Sequence, residues 1–195
     1  DIGLGTQIQV IPQSITFESV LSQFRECDAV FGCTDDEWGR SLLTRFAIYY
    51  GIPVFDMGVR IDPEDEKIKS IQGRVTTLIP GAACLWCRGR ITAKRVTAES
   101  KWAVNPEEAE GLVREGYIAR LGTRSPAIVP FTTAIAASAV SEFLHRITGF
   151  LGDGRGTSEI IHLIDETEIK RNHLTPKEGC FCADRYYWCR GDTQP

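Results

Sequence analysis

Two close cysteine pairs constrain this chain more than any other feature. Cys84-Leu85-Trp86-Cys87 and Cys180-Phe181-Cys182 are separated by some ninety residues. Two thiolates from each pair can close a tetrahedron around one zinc ion and fasten the C-terminal region onto the fold. A C-x-x-C knuckle supplies two ligands by turning its backbone around the metal; C-x-C is tighter. Cys189 is therefore a second candidate, replacing Cys180 or Cys182. Buried thiols without metal, or a redox C-x-x-C, are the competing readings. The N-terminal Asp1-Ile2-Gly3-Leu4-Gly5-Thr6 lacks the basic and apolar regions of a secretion signal, so the seven cysteines are expected in a reducing, cytoplasmic setting. The first residue is not Met, which suits a fragment or a processed product.

The 195 residues, 43% hydrophobic and 25% charged, suit one globular domain over 1–195. A formal charge of −4 argues against a nucleic-acid partner, which would need a basic stripe. Arg88, Arg90, Lys94, Arg95 and Lys101 do cluster, and read as a solvated surface stretch. No run of about 18 apolar residues predicts a membrane span.

Along the chain, Ile8–Ile11 alternates and predicts a short strand. Thr16 is a candidate cap for a helix that places Phe17, Val20, Leu21 and Phe24 on one face. Ala29–Cys33 is continuously apolar, as in a strand covered on both faces, and its flanking Cys27 and Cys33 read as core residues. Leu42, Leu43, Phe46, Ala47 and Tyr50 repeat at helical spacing up to Gly51, and Pro53–Val59 predicts a second, parallel strand. The acidic stretch Ile61–Lys69 reads as a loop. A strand over Gln72–Ile79 follows, then a helix opening at Pro106 and running to about Leu121. Val129–Phe150 is a long apolar helix, and Ile160–Ile164 with Thr167–Ile169 forms a hairpin. His145, His162 and His173 are scattered and read as structural or surface residues.

Thr34-Asp35-Asp36 follows the first apolar strand directly. The carboxyl edge of a parallel sheet is where nucleotides bind in open α/β folds. A carboxylate there can hold magnesium or a ribose, and Arg40, one turn on, can meet a phosphate. Helix capping alone explains the same residues.

These pieces, in this order, resemble the ubiquitin-activating-enzyme-like superfamily, to which ThiF, MoeB and HesA belong. The family's Thr-Asp-Asn-x-x-x-Arg turn corresponds to Thr34-Asp35-Asp36-Glu37-Trp38-Gly39-Arg40, with Asp36 in place of Asn. Gly51-Ile52-Pro53, Met57-Gly58-Val59, Gly73-Arg74-Val75, Pro80-Gly81 and the two cysteine pairs continue the likeness over about residues 8 to 185. The resemblance implies a Rossmann-like open mixed α/β sheet with flanking helices, lacking the first β-α units, plus a zinc-stapled C-terminal region. Residues 1–60 would form the nucleotide-site half, and 71–195 the strands, zinc knuckles and long helix.

The implied chemistry is ATP-dependent adenylation of the C-terminal glycine of a ubiquitin-like or sulfur-carrier protein, by a homodimer. Asp35 would bind Mg2+ and ATP, with Thr34, Asp36 and Arg40 supporting the adenylate pocket. Cys84, Cys87, Cys180 and Cys182 would hold structural zinc. The family's G-x-G-x-x-G loop is absent, and so are the phosphate-gripping residues after it; Gly152-Asp153-Gly154-Arg155-Gly156 follows a helix and reads as a turn. Residues 88–179 contain no cysteine for a thioester step. Isolated, such a chain is expected to be weak or inactive. Two other readings compete: a zinc-stapled protein-interaction module without chemistry, and a fragment of a nicotinamide-dependent dehydrogenase, which has no reason to carry paired cysteines.

Overall fold

The two apolar runs on either side of the Gly51-Ile52-Pro53 stop pair in parallel, and the rest of the sheet grows antiparallel from them. The structure is a computed structural model, and it describes residues 5–64, 67–118, 128–154 and 156–191. Helix α1 (Glu18–Phe24) precedes strand β1 (Val30–Gly32). Helix α2 (Glu37–Tyr50) then crosses to β2 (Val54–Glu64), which runs parallel to β1 with Val30 opposite Val54. β3 (Lys67–Leu78) pairs antiparallel with β2. α3 (Ala93–Val104), α4 (Pro106–Arg114) and α5 (Val129–Thr148) follow, and β4 (Glu159–Leu163) and β5 (Glu168–Arg171) close a five-stranded sheet in the order β1-β2-β3-β4-β5. This is the open mixed α/β sheet that the sequence implies.

Alternation along the strands divides the sheet's faces. Phe55 and Val75 face α5, packing with its Ile135 and Ala139. Val30, Val54 and Leu78 face the other way, against Leu43, Phe46 and Ala47 of α2 and Leu85 and Ile91 beyond β3. Each fully buried aliphatic or aromatic side chain contributes about 1.5–3 kcal/mol. Gly51 sits at φ 71°, and its N–H closes α2 on Ala47 O; glycine reaches that left-handed geometry without strain.

Several expectations need correction. Residues 8–11 form no strand; Ile8 and Val10 are 83% and 79% exposed, with no strand beside them among the described residues. The N-cap of α1 is Phe17, not Thr16, and its side chain makes no capping bond. β1 is only partly covered on its second face: Phe31 is 37% exposed, although it stacks on Phe55 and meets Phe143 of α5 edge-on. Cys27 and Cys33 lie at the surface, outside the core.

The acidic stretch after Ile61 is not a loop but the arms of a long hairpin. Asp62 joins them across the ladder, accepting from Arg60 Nε at 2.6 Å and Ser70 Oγ at 3.1 Å. Its charges conceal the strand periodicity. The basic cluster conceals α3, whose polar face carries Lys94, Arg95 and Lys101. α4 stops at Arg114, ahead of Gly116 at φ 81°; the stretch toward Leu121 passes beyond the described residues after 118. No described helix is long and apolar enough to cross a membrane.

Candidate functional site

The C-x-x-C turn follows β3 and packs beneath α2. Gly81 N–H donates to Cys182 O (3.2 Å), drawing the C-terminal segment against it, and Trp188 Nε1 donates to the same carbonyl (3.1 Å). The four expected sulfurs meet here. Sγ–Sγ distances are 3.8 Å for Cys84–Cys87, 3.6 Å for Cys84–Cys180, 3.5 Å for Cys87–Cys182 and 3.4 Å for Cys180–Cys182. All four sulfurs lie within 4.8 Å of one another, and all are free thiols. A zinc tetrathiolate with bonds near 2.3 Å requires edges of about 3.8 Å. The donor set therefore fits a closed tetrahedral metal site.

Cys84, Cys87 and Cys182 are buried and Cys180 is half-buried. The Lys177 N–H donates to Cys87 Sγ at 3.3 Å, the kind of support that orients a thiolate ligand. Crowding splits the thiols electrostatically. The hydrogen bond from Cys182, opposed by burial, draws Cys84 down to about 5, whereas Cys182 rises and burial pushes Cys180 up to about 11. A cation at the centre would relieve that competition. Cys189 is exposed and lies outside the cluster; its N–H instead donates to Ile48 O at the end of α2.

The second predicted centre is the turn from β1 into α2. Asp36 is the N-cap, and its carboxylate accepts the Gly39 N–H. Glu99 of α3 accepts the Trp38 N–H at 2.8 Å. Both carboxylates sit where the helix dipole favours negative charge, so these amides already have partners. Asp35 is exposed at the carboxyl edge of the parallel β1–β2 pair. Thr34 Oγ1 beside it is buried with no hydrogen-bond partner among the described residues, as an acceptor or donor to a bound group would leave it. Arg40 turns inward. Its Nε and Nη2 donate to Thr34 O (3.1 and 2.9 Å) and Nη2 to Met57 O (3.2 Å), and Nε lies 3.5 Å from Asp56 Oδ1.

Sequence reasoning missed what lies between these two centres. Gly32, Asp56, Thr76 and Glu159 stand opposite one another across four strands, on the α2 side of the sheet. Asp56 and Glu159 have no solvent exposure. Arg74 Nη1 meets Asp56 Oδ2 at 2.5 Å and donates to Thr76 Oγ1 at 3.0 Å; Thr76 Oγ1 donates to Glu159 Oε1 at 3.0 Å. Arg90 grips both Glu159 oxygens at 3.1 Å, Arg88 Nη1 reaches Oε2 at 3.2 Å, and Asn172 Nδ2 reaches it at 2.7 Å. Burial alone would raise the Glu159 carboxyl; the bonds from Arg90 and Asn172 and the arginine charges outweigh it and hold it below its ordinary value. Arg88 Nε also donates to Ala83 O at 3.1 Å, so the row ends on the cysteine knuckle. Polar residues at alternate strand positions facing a helix were the available sequence signal.

The histidines stay apart, as expected: His145 is buried, His162 contacts Ser138 Oγ at 3.0 Å, and His173 is exposed. The Cys33 thiol is held above its ordinary value by burial and then by the Asp56 charge, which does not favour a thiolate.

The ThiF family model matches residues 1–182. The chain belongs to the ThiF family. Solved structures share its fold: E. coli MccB with ATP (TM-score 0.57, 14% identity, 89% of this chain and 44% of that one) and MccB with succinimide (0.55, 14%, 87% and 43%). A third is MccB with AMPCPP and MccA (0.55, 14%, 87% and 44%). At this identity the likeness concerns the fold, and the chain spans less than half the length of the MccB chains. No curated protein matches.

Proposed function

We propose that this ThiF-family chain is part of an ATP-dependent adenylyltransferase that activates the C-terminal carboxylate of a ubiquitin-like or sulfur-carrier protein, with structural zinc on Cys84, Cys87, Cys180 and Cys182. The observation that carries the reading is the placement of Asp35, exposed at the carboxyl edge of the parallel strand pair, beside the unpartnered Thr34 hydroxyl. The solved relatives of the same fold include complexes with ATP and with MccA, which supports a nucleotide and a peptide or small-protein partner here.

In this reading the carrier's carboxylate oxygen attacks the α-phosphorus of ATP, the bond to the bridging oxygen breaks, and pyrophosphate leaves. Magnesium would neutralise charge on the phosphates. Asp35 would hold that cation, and Asp36 would keep the turn seated on α2. Arg40 would act indirectly by fixing the Thr34 carbonyl. The G-x-G-x-x-G phosphate grip is not among these residues, so the activity is proposed for the whole protein and is weak or absent in 1–195, which we treat as one domain divided near residues 60–71.

A cytoplasmic location and a homodimer complete the reading. The outward side of α5 supports the dimer: Val129, Val140, Leu144 and Ile147 are 74%, 46%, 43% and 63% exposed. That same apolar side favours the second reading, a zinc-stabilised interaction module without chemistry.

The test is intact-mass detection of an acyl-adenylate on carrier proteins ending in glycine, incubated with Mg-ATP and a version of this chain extended upstream. A nucleotide-dependent adduct supports the enzyme. Carrier binding with neither adduct nor Mg-ATP affinity supports the module.

A further inference from the structure

Two carboxylates without solvent exposure are rare unless paired, and here both belong to one row. At one end of the row, Asp56 faces Arg40, the side chain that pins Thr34 O and so the turn bearing Asp35. At the other end, Glu159 holds Arg88 and Arg90, which directly follow the C-x-x-C knuckle. Arg88 is doubly committed. Its guanidinium bonds Ala83 O and Ser158 Oγ (2.6 Å) besides Glu159, and its backbone N–H donates to Cys84 O at 3.1 Å. The knuckle cannot shift without moving Arg88. Arg88 has a side-chain exposure of only 1%, and leaving Glu159 would strand its charge. Thr76 Oγ1 joins the two carboxylate–arginine groups, accepting from Arg74 Nη1 and donating to Glu159 Oε1.

We propose that Asp56, Thr76 and Glu159 are positioning residues that couple the four-cysteine centre to the Thr34–Asp36 turn, so that metal in the knuckle fixes the geometry of the turn. Metal closes Cys84 and Cys87 onto Cys180 and Cys182, the knuckle holds Arg88 against Glu159, the hydrogen-bonded row from Glu159 through Thr76 and Arg74 holds Asp56, and the ion pair of Asp56 with Arg40 (3.5 Å) holds Arg40 on Thr34 O. This rests on the metal and Asp35 assignments above and extends them, because the cysteines then bear on the nucleotide turn as well as on the tail.

Amide hydrogen exchange on the full chain tests this without ATP. Exchange at Trp38, Gly39 and Arg40 is compared between zinc-loaded and chelator-stripped protein, with the β2 and β3 amides as the internal reference for folding. Stripping should accelerate the turn about tenfold or more while the reference amides stay protected.

Thr76→Val is the decisive variant. It leaves each carboxylate paired with its arginines and removes only the shared hydroxyl. It should bind zinc at the wild-type stoichiometry, yet its turn should exchange fast in both states, so that stripping changes it less than about twofold. Glu159→Gln should behave alike. A Thr76→Val turn that still responds to zinc as in wild type overturns the proposal, as does a wild-type turn indifferent to zinc. Failure of the adenylation reading would show separately, as absence of Mg-ATP protection at the same amides in the upstream-extended protein.

Discussion

Replacing Glu159 by Ala removes a buried carboxylate that accepts from Thr76, Arg88, Arg90 and Asn172. The cost should fall unequally on the two arginines left behind. The Arg90 side chain is 33% exposed and can turn to water, whereas Arg88 is 1% exposed and bound on two further sides. Breaking a buried pair by deleting one partner costs about 3–5 kcal/mol, chiefly because the other charge stays buried. For a chain of this size that lowers Tm by about 6–20 °C. The assay is urea unfolding at fixed zinc concentration, on wild type, Glu159→Ala, Arg88→Met, Arg90→Met and the two double variants. The 88–159 coupling should reach about 2 kcal/mol or more, and the 90–159 coupling should stay below about 1 kcal/mol.

The pH dependence has a definite sign. The Glu159 pKa is lower folded than unfolded, so the unfolded state binds more protons as pH drops. Its stabilisation is present above the ordinary glutamate value of 4.5 and is lost as pH falls through the folded value; Glu159→Gln flattens that limb. A Glu159→Ala cost below about 1 kcal/mol, or a larger coupling at Arg90 than at Arg88, would refute this reasoning.

Three further outcomes are expected. Cys87→Ser and Cys182→Ser should each abolish stoichiometric zinc, whereas Cys189→Ser should leave it unchanged by elemental analysis; loss of zinc in Cys189→Ser would contradict the cluster. Gly73→Ala should destabilise by about 1–3 kcal/mol in urea, because a Cβ there collides with the Ile135 side chain of α5; an unchanged midpoint would mean that α5 yields. His162 is held by burial below its ordinary 6.5, so its contribution to stability should fall as pH drops below that value, and His162→Phe should lose this dependence in melts between about pH 5 and 7.

Fold and site were unequally legible in the sequence. Val30–Gly32 was readable as a continuous apolar run, α2 from its helical spacing and Gly51 stop, and α5 as a long apolar stretch, although its expected end at Phe150 overran the Gly149 cap that closes it at Thr148. The hairpin beyond Ile61 was hidden because its outward positions are charged, and α3 because its lysines and arginines read as surface. The Ile8–Ile11 alternation misled because a strand needs a neighbour, which periodicity cannot supply. The cysteine cluster was legible from ligand spacing, including Cys180 and Cys182, and the alternative ligand Cys189 lies outside it, docked on the end of α2. Asp56, Thr76 and Glu159 left only a weak signal, polar residues at alternate strand positions, because what joins them lies in register. They are distant in sequence and stand opposite one another only in the folded sheet.

The central claim is that Asp35 serves nucleotide chemistry. Isotope exchange between pyrophosphate and ATP, measured on the upstream-extended protein with its carrier, tests it most directly when wild type is compared with Asp35→Asn. Asp35 is exposed and Asn keeps the size and shape of its side chain, so the variant should keep its zinc content and stay folded while exchange falls by about 100-fold or more, the scale of losing a key electrostatic contact in the transition state. Exchange within about twofold of wild type would contradict the account.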